Sequence, residues 1–129
     1  MIEIVAVGAH MSGLPLNHEL TREGGVLVRA VRTLPCYQLF ALAGGPPRRP
    51  GLLRVAPGTG GAIAAELWAL PDAGFGRFVA GIPAPLGIGT LLLDDGTTPK
   101  GFLAEPEGLL GAEDITHHGG WRAFLASLT

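Results

Sequence analysis

The stretch Ile2-Glu3-Ile4-Val5-Ala6-Val7 runs directly into Gly8-Ala9-His10-Met11-Ser12-Gly13-Leu14-Pro15-Leu16-Asn17. A short β-branched apolar run with one charge, ending at a glycine, predicts a buried strand. The ten residues after it hold two glycines and a proline, so they predict a turn-rich loop at the strand's end and not a regular helix. Loops at strand ends commonly carry function, because a rigid sheet positions them.

Beyond this loop, Val26 to Leu34 and Tyr37 to Leu42 read as strands separated by Pro35, which has no N–H for a central ladder, and Leu52 to Val55 reads as a fourth. Ala62 to Leu70 sets Ile63, Ala65, Leu67 and Ala69 against Glu66 and Trp68, an alternation that predicts a strand despite the alanines. Phe75, Phe78, Val79 and Ile82 fall at i, i+3, i+4 and i+7 and predict a helix, with Asp72 as its cap and Gly81 and Pro83 as its stop. Gly87 to Leu93 and Lys100 to Glu105 flank Asp95-Gly96 and predict a hairpin, and Trp121 to Leu128 a closing helix. Many strands with a few helices to one side make an α+β protein with a mixed or antiparallel, curled sheet.

With 129 residues and 47% of them apolar, the chain can bury a core and is expected to form one domain, residues 1–129. Its 21 glycines and 11 prolines are spread between apolar runs, which indicates many tight turns. Nine basic against eleven acidic side chains, with no block of either sign, exclude the basic stripe of a nucleic-acid binder. The pair Arg48-Arg49 reads as a solvated turn. Cys36 is alone and reads as a buried small hydrophobe. No window reaches the roughly 18 apolar residues of a membrane span, so a cytoplasmic, soluble protein is expected.

The densest polar group is His10, Ser12, Asn17 and His18. In one reading, the Ser12 hydroxyl, the Asn17 amide and backbone N–H groups near Gly13 hold a carboxylate or carbonyl oxygen. In the other, Ser12 and Asn17 only bond the backbone of their own turn. His10, beside a strand end, is the titratable candidate for proton exchange near neutral pH, whereas His18 is expected to be exposed. His117-His118 has no third ligand at metal-site spacing and belongs to the turn before the last helix, served by Asp114 and Thr116. Ile82-Pro83-Ala84-Pro85-Leu86 is a stiff apolar loop suited to a pocket wall, and Lys100 and Glu105 flank a strand. There is no nucleophile elbow and no phosphate loop.

Five segments together resemble the C-terminal domain of allophanate hydrolases: Val7 to Asn17, Arg32-Thr33-Leu34-Pro35-Cys36-Tyr37, Phe78 to Gly89, Lys100-Gly101-Phe102-Leu103, and Gly119-Gly120-Trp121-Arg122. They span nearly the whole chain in order, and the chain reads as a free-standing version without an amidase domain. The resemblance implies a γ-glutamyl cyclotransferase-like fold, a small mixed β-barrel or curled sheet with flanking helices. It does not extend to cyclotransferase chemistry: the family's aromatic-Gly-Ser turn is here Val7-Gly8-Ala9, and Phe75 to Gly81 holds no acid. A Glu105 carboxylate in the cavity would restore that reading.

The chemistry that the resemblance implies is decarboxylation of N-carboxyurea, or of a related small carboxylated amide, by a cofactor-free lyase in urea and allophanate metabolism. His10 would be the catalytic proton source. Gly8, Ser12, Gly13, Leu14 and Asn17 would bind the urea-like part, Ile82, Pro83 and Pro85 would form the apolar wall, and Lys100 would attract the anion. No metal or other cofactor is expected. The alternative is a non-catalytic binding or assembly module, whose partner is a separate amidase subunit or a second copy in a homodimer.

Overall fold

The computed structural model describes residues 1–129. Eleven elements follow one another: β1 (Ile2–Ala6), α1 (His18–Thr21), β2 (Val26–Arg32), β3 (Tyr37–Ala41), β4 (Pro50–Arg54), β5 (Ala64–Leu70), α2 (Asp72–Ala80), β6 (Leu86–Thr90), β7 (Lys100–Ala104), β8 (Glu113–Asp114) and α3 (Trp121–Ser127). A five-stranded sheet has the order β2-β5-β1-β7-β6, and a three-stranded sheet the order β4-β3-β8.

The apolar run at residues 2–7 becomes the central strand of the larger sheet. It pairs antiparallel with β5 and parallel with β7. Ile4, Val5 and Ala6 are fully buried, which explains why the run lacks polar alternation: both faces of β1 are covered. The sheet is mixed, and it closes on itself. Past the ends of its two edge strands, Leu34 N–H donates to Leu92 O and Asp94 N–H to Arg32 O, and Thr33 bridges Leu93. This pairing satisfies backbone groups that an open edge would leave free.

Buried polar groups at the seam are paired. The Thr33 hydroxyl accepts from Ile63 N–H at 2.9 Å and donates to Leu34 O at 2.9 Å. Tyr37, fully buried, accepts the Leu92 N–H on its phenolic oxygen at 2.9 Å. Cys36 is buried, as its apolar surroundings in the sequence predict.

The mixed α+β architecture agrees with the sequence reading, while several boundaries differ for identifiable reasons. Pro71, not Asp72, occupies the cap position of α2; Asp72 lies in the first turn and makes no capping bond, its charge still complementing the helix dipole. α2 ends at Ala80, before the expected stop at Gly81 and two residues short of the stripe residue Ile82. β6 ends at Thr90, although Leu91 and Leu93 N–H still donate across the hairpin to Pro99 O and Thr97 O while Leu92 and Leu93 also meet Leu34 and Thr33 at the seam. The short helix α1 was not expected after a loop so rich in glycine and proline; Leu16 and Leu20, four residues apart and both buried, hold it in place.

The two sheets meet where Gly8 touches Pro50, the first residue of β4. A Cβ on Gly8 would overlap the Cδ and Cγ atoms of the Pro50 ring. Replacing Gly8→Ala must therefore push the strand end and the β3–β4 hairpin apart. The expected loss is about 1–3 kcal/mol, seen as a lower urea midpoint at unchanged slope.

Candidate functional site

Successive turns shape the loop after β1. Met11 N–H donates to Gly8 O, Leu14 N–H to Met11 O and Asn17 N–H to Leu14 O, while Leu16 N–H closes back on Ala9 O at 2.9 Å. Met11 and Leu16 are buried on either side of this fold-back, so the segment between them is anchored by apolar contacts. The Asn17 side-chain amide donates to His10 O at 2.9 Å and fixes the backbone of the histidine itself.

His10 is thereby held inside the protein, its side chain 9% exposed. The imidazole stacks on Phe102 with centroids 5.0 Å apart and planes 16° apart, and it meets Phe78 edge-on at 5.2 Å. Its Nε2 lies 2.7 Å from Oε1 of Glu19, supplied by α1. Burial pushes the imidazole below its ordinary value of 6.5; the hydrogen bond and charge of Glu19 oppose that shift, while the positive charges of Arg49 and His18 add to it. His10 is consequently neutral at pH 7. With Nε2–H donated to the carboxylate, Nδ1 is left as an acceptor.

A cavity of about 50 Å³, one to two water volumes, opens beside the ring and is lined by Glu19, Arg22, Arg77, Ile82 and Pro83 as well as His10. Arg77 is ion-paired with Glu23 at 2.7 Å, whereas Arg22 has no acidic partner. On its other side the ring borders a narrower recess lined by Gly8, Arg49, Pro50 and Leu86.

The expected site residues are thus only partly brought together. His10, Ile82 and Pro83 share the cavity, Gly8 faces the recess behind it, and Pro85 lines a neighbouring cleft. Gly13 is exposed with φ at +77°, and Leu14 packs against the core. Lys100 pairs at the level of Ile4, well before the end of β1, and its Nζ rests on Thr90 Oγ1 at 3.0 Å. Glu105 is exposed and outside the cavity. The carboxylate beside His10 comes instead from Glu19. The Leu16 and Leu20 spacing was a signal for the helical turn that carries it. Arg22, Arg77 and Phe102 had no comparable local signal.

Ser12 is occupied elsewhere. Its N–H donates to Glu66 Oε1 at 2.7 Å and its hydroxyl to Oε2 at 2.8 Å. Trp68 Nε1–H donates to Oε1 at 3.1 Å, and Arg122 from α3 reaches both Oε2, at 3.1 Å, and Ser12 O, at 2.6 Å. Burial alone would raise the Glu66 carboxyl, but the bonds from Ser12, Trp68 and Arg122 outweigh it and hold the group below its ordinary 4.5. The second histidine pair packs on α3 through a 5.4 Å His118–Phe124 contact, with Asp114 bonding Thr116 in the turn before it. Arg48-Arg49 is not simply solvated: Arg48 lies over Phe124, and Arg49 is half-buried.

Two stability measurements follow. Glu66 contributes fully above its unfolded pKa, and that contribution is lost as pH falls through the lower folded value. Glu66→Gln should therefore cost about 1.5–3 kcal/mol at pH 7, with the gap to wild type shrinking below about pH 4 in urea titrations. The His10 contribution is likewise full above about 6.5 and lost as pH falls toward the depressed folded value. Relative to His10→Gln, the wild type should lose stability on acidification from pH 7 to 5; parallel curves would contradict a neutral, buried imidazole.

Residues 2–126 match the family model described as allophanate hydrolase C-terminal domain. The chain is 40% identical over 130 residues to urea amidolyase of Saccharomyces cerevisiae, covering 98% of this chain and 7% of that protein. Among solved structures, Kluyveromyces lactis allophanate hydrolase superposes with a TM-score of 0.95 at 37% identity, covering 99% of this chain and 21% of the other. A uropathogenic E. coli-specific protein superposes at 0.89 and 35% identity, covering 97% and 95%. An AIG2-like protein from Mus musculus, at 18% identity and a TM-score of 0.56 over 84% of this chain and 82% of its own, shares the γ-glutamyl cyclotransferase-like fold. The chain therefore spans only a small fraction of the long relatives it matches.

Proposed function

The chain belongs to the allophanate hydrolase C-terminal domain family, and from that premise we propose that it is a cytoplasmic, cofactor-free lyase that decarboxylates N-carboxyurea or a close carboxylated amide. The observation that carries this reading is His10: a buried imidazole packed against two phenylalanine rings and bonded to Glu19, on a small cavity whose exposed arginine rim must move aside to admit a substrate larger than one or two waters.

The reaction breaks the bond between the carboxylate carbon and the urea nitrogen. The electron pair stays on nitrogen, CO₂ leaves, and one proton arrives at nitrogen to give urea. His10 supplies that proton after taking one from solvent, and Glu19 holds the transient imidazolium. Because burial lowers its pKa, the charged ring is a stronger acid than a free imidazolium. Ile82, Pro83, Phe78 and Phe102 form a wall that favours a neutral CO₂ over a carboxylate. Arg22, which lines the cavity where Lys100 does not, attracts the anion at the rim.

N-carboxyurea generated by a separate amidase should lose CO₂ faster in the presence of this protein. His10→Gln should lose about a hundredfold or more of that acceleration, and the rate should fall as pH rises through the His10 pKa. A CO₂ release rate unaffected by the wild-type protein would end this proposal.

The alternative, an assembly module, draws on one feature. Val26, Leu27 and Val28 of the edge strand β2 are all exposed, a surface on which a separate amidase subunit or a second copy would find backbone and apolar partners. Co-purification of an amidase subunit without any change in CO₂ release would favour it.

A further inference from the structure

We propose that the cleft between residues 42–49 and the Ala84-Pro85-Leu86 turn binds a small carboxylate with a compact apolar body, anchored by the Arg49 guanidinium.

The cleft measures about 340 Å³, within the range of small-molecule sites, and far exceeds the cavity beside His10. Its side-chain walls are aliphatic: Leu42, Pro46, Pro47, Pro85 and Leu86. Arg49 is its single charged residue. The Nε–H of Arg49 is buried and donates to nothing, and the side chain has no ion pair. A half-buried guanidinium with no acceptor at any of its N–H groups is costly in a fold whose other buried side-chain polar atoms are paired, and its less buried terminal N–H groups are left to take an external acceptor. No acidic side chain lines either this cleft or the recess behind His10, to which Arg49 also belongs.

The rim supplies further donors. The N–H groups of Gly44 and Gly45, both lining the cleft, make no hydrogen bond within the protein. Arg48 does not compete for the same ligand, since its guanidinium lies 5.4 Å from the Phe124 ring centroid and its Nε reaches Leu42 O at 3.5 Å. A planar carboxylate matches the guanidinium fork of Arg49, and the proline and leucine side chains cover an apolar body.

A carboxylate gripped by a guanidinium is stabilised in its charged form, which opposes loss of CO₂. The group bound here is thus not the one lost at His10, and the proposal stands whether or not the protein is a lyase.

The test is a titration of the full chain with cyclohexanecarboxylate, and separately with cyclohexanecarboxamide, followed by ¹⁵N NMR. The carboxylate should shift the Arg49 Nε–H and the Gly44 and Gly45 amides saturably, and the carboxamide should not. Arg49→Gln should weaken binding at least tenfold, while Arg48→Gln should leave it within twofold. Equal response to the carboxamide, undiminished binding by Arg49→Gln, or shifts confined to the Arg22 and Arg77 cavity would overturn the proposal. If Arg49→Gln does not fold, the Arg49 Nε–H response of the wild type decides the matter alone.

Discussion

The contact of Gly8 with the Pro50 ring governs the geometry of everything around it. Gly8 follows the central strand of the larger sheet, and Pro50 begins a strand of the smaller one, so this bare backbone position, with Gly51 against Ala104 of β7, lets the two layers approach closely. His10 lies two residues beyond Gly8, and Arg49 immediately precedes Pro50. The same close approach brings both side chains to one recess, although they stand thirty-nine positions apart in the chain. The positive charge of Arg49 then acts on the imidazole through a medium with little water to screen it.

Two carboxylates in the protein illustrate opposite uses of burial. Glu66 is surrounded by donors from three parts of the chain: Ser12 in the first loop, Trp68 on its own strand and Arg122 in the last helix. Its charge is fully satisfied, and it serves to join the loop and α3 to the sheet. Glu19 has one partner, His10, and both border open space. Both carboxylates border open space, Glu66 a cleft that it shares with Arg122, but Glu66 has its bonding capacity filled within the fold whereas the His10–Glu19 pair retains some for a ligand.

The legible parts of the structure were those with local periodicity. The run Ile4-Val5-Ala6 and the Phe75-Phe78 stripe each state how one element meets the core, and the alternation along Ala65 to Leu70 identified a strand, though Trp68, set on its outer face by that pattern, is buried as well. His10 was legible as a titratable group at a strand end, and the segment similarities pointed to the family. Ser12 is legible as a polar residue of the loop, but its partner is not: whether a serine N–H and hydroxyl face a ligand or a carboxylate fifty-four residues away depends on strand register. The arginines of the two cavities were not legible as a group, since Arg22, Arg49 and Arg77 share neither spacing nor element.

Sequence by itself thus determined the class of the fold, the buried central strand, the family and the one histidine worth following. Hydrophobic period and residue type act over a few neighbours, and they report directly on local structure and burial. Tertiary structure alone decided that the carboxylate beside His10 comes from Glu19 and not from α2, that Ser12 is consumed by Glu66, that Lys100 does not line the cavity, and that Arg49 is left without a partner. Each of those outcomes depends on which distant side chains the closure of the sheet brings within about 3 Å of one another, the range of a hydrogen bond.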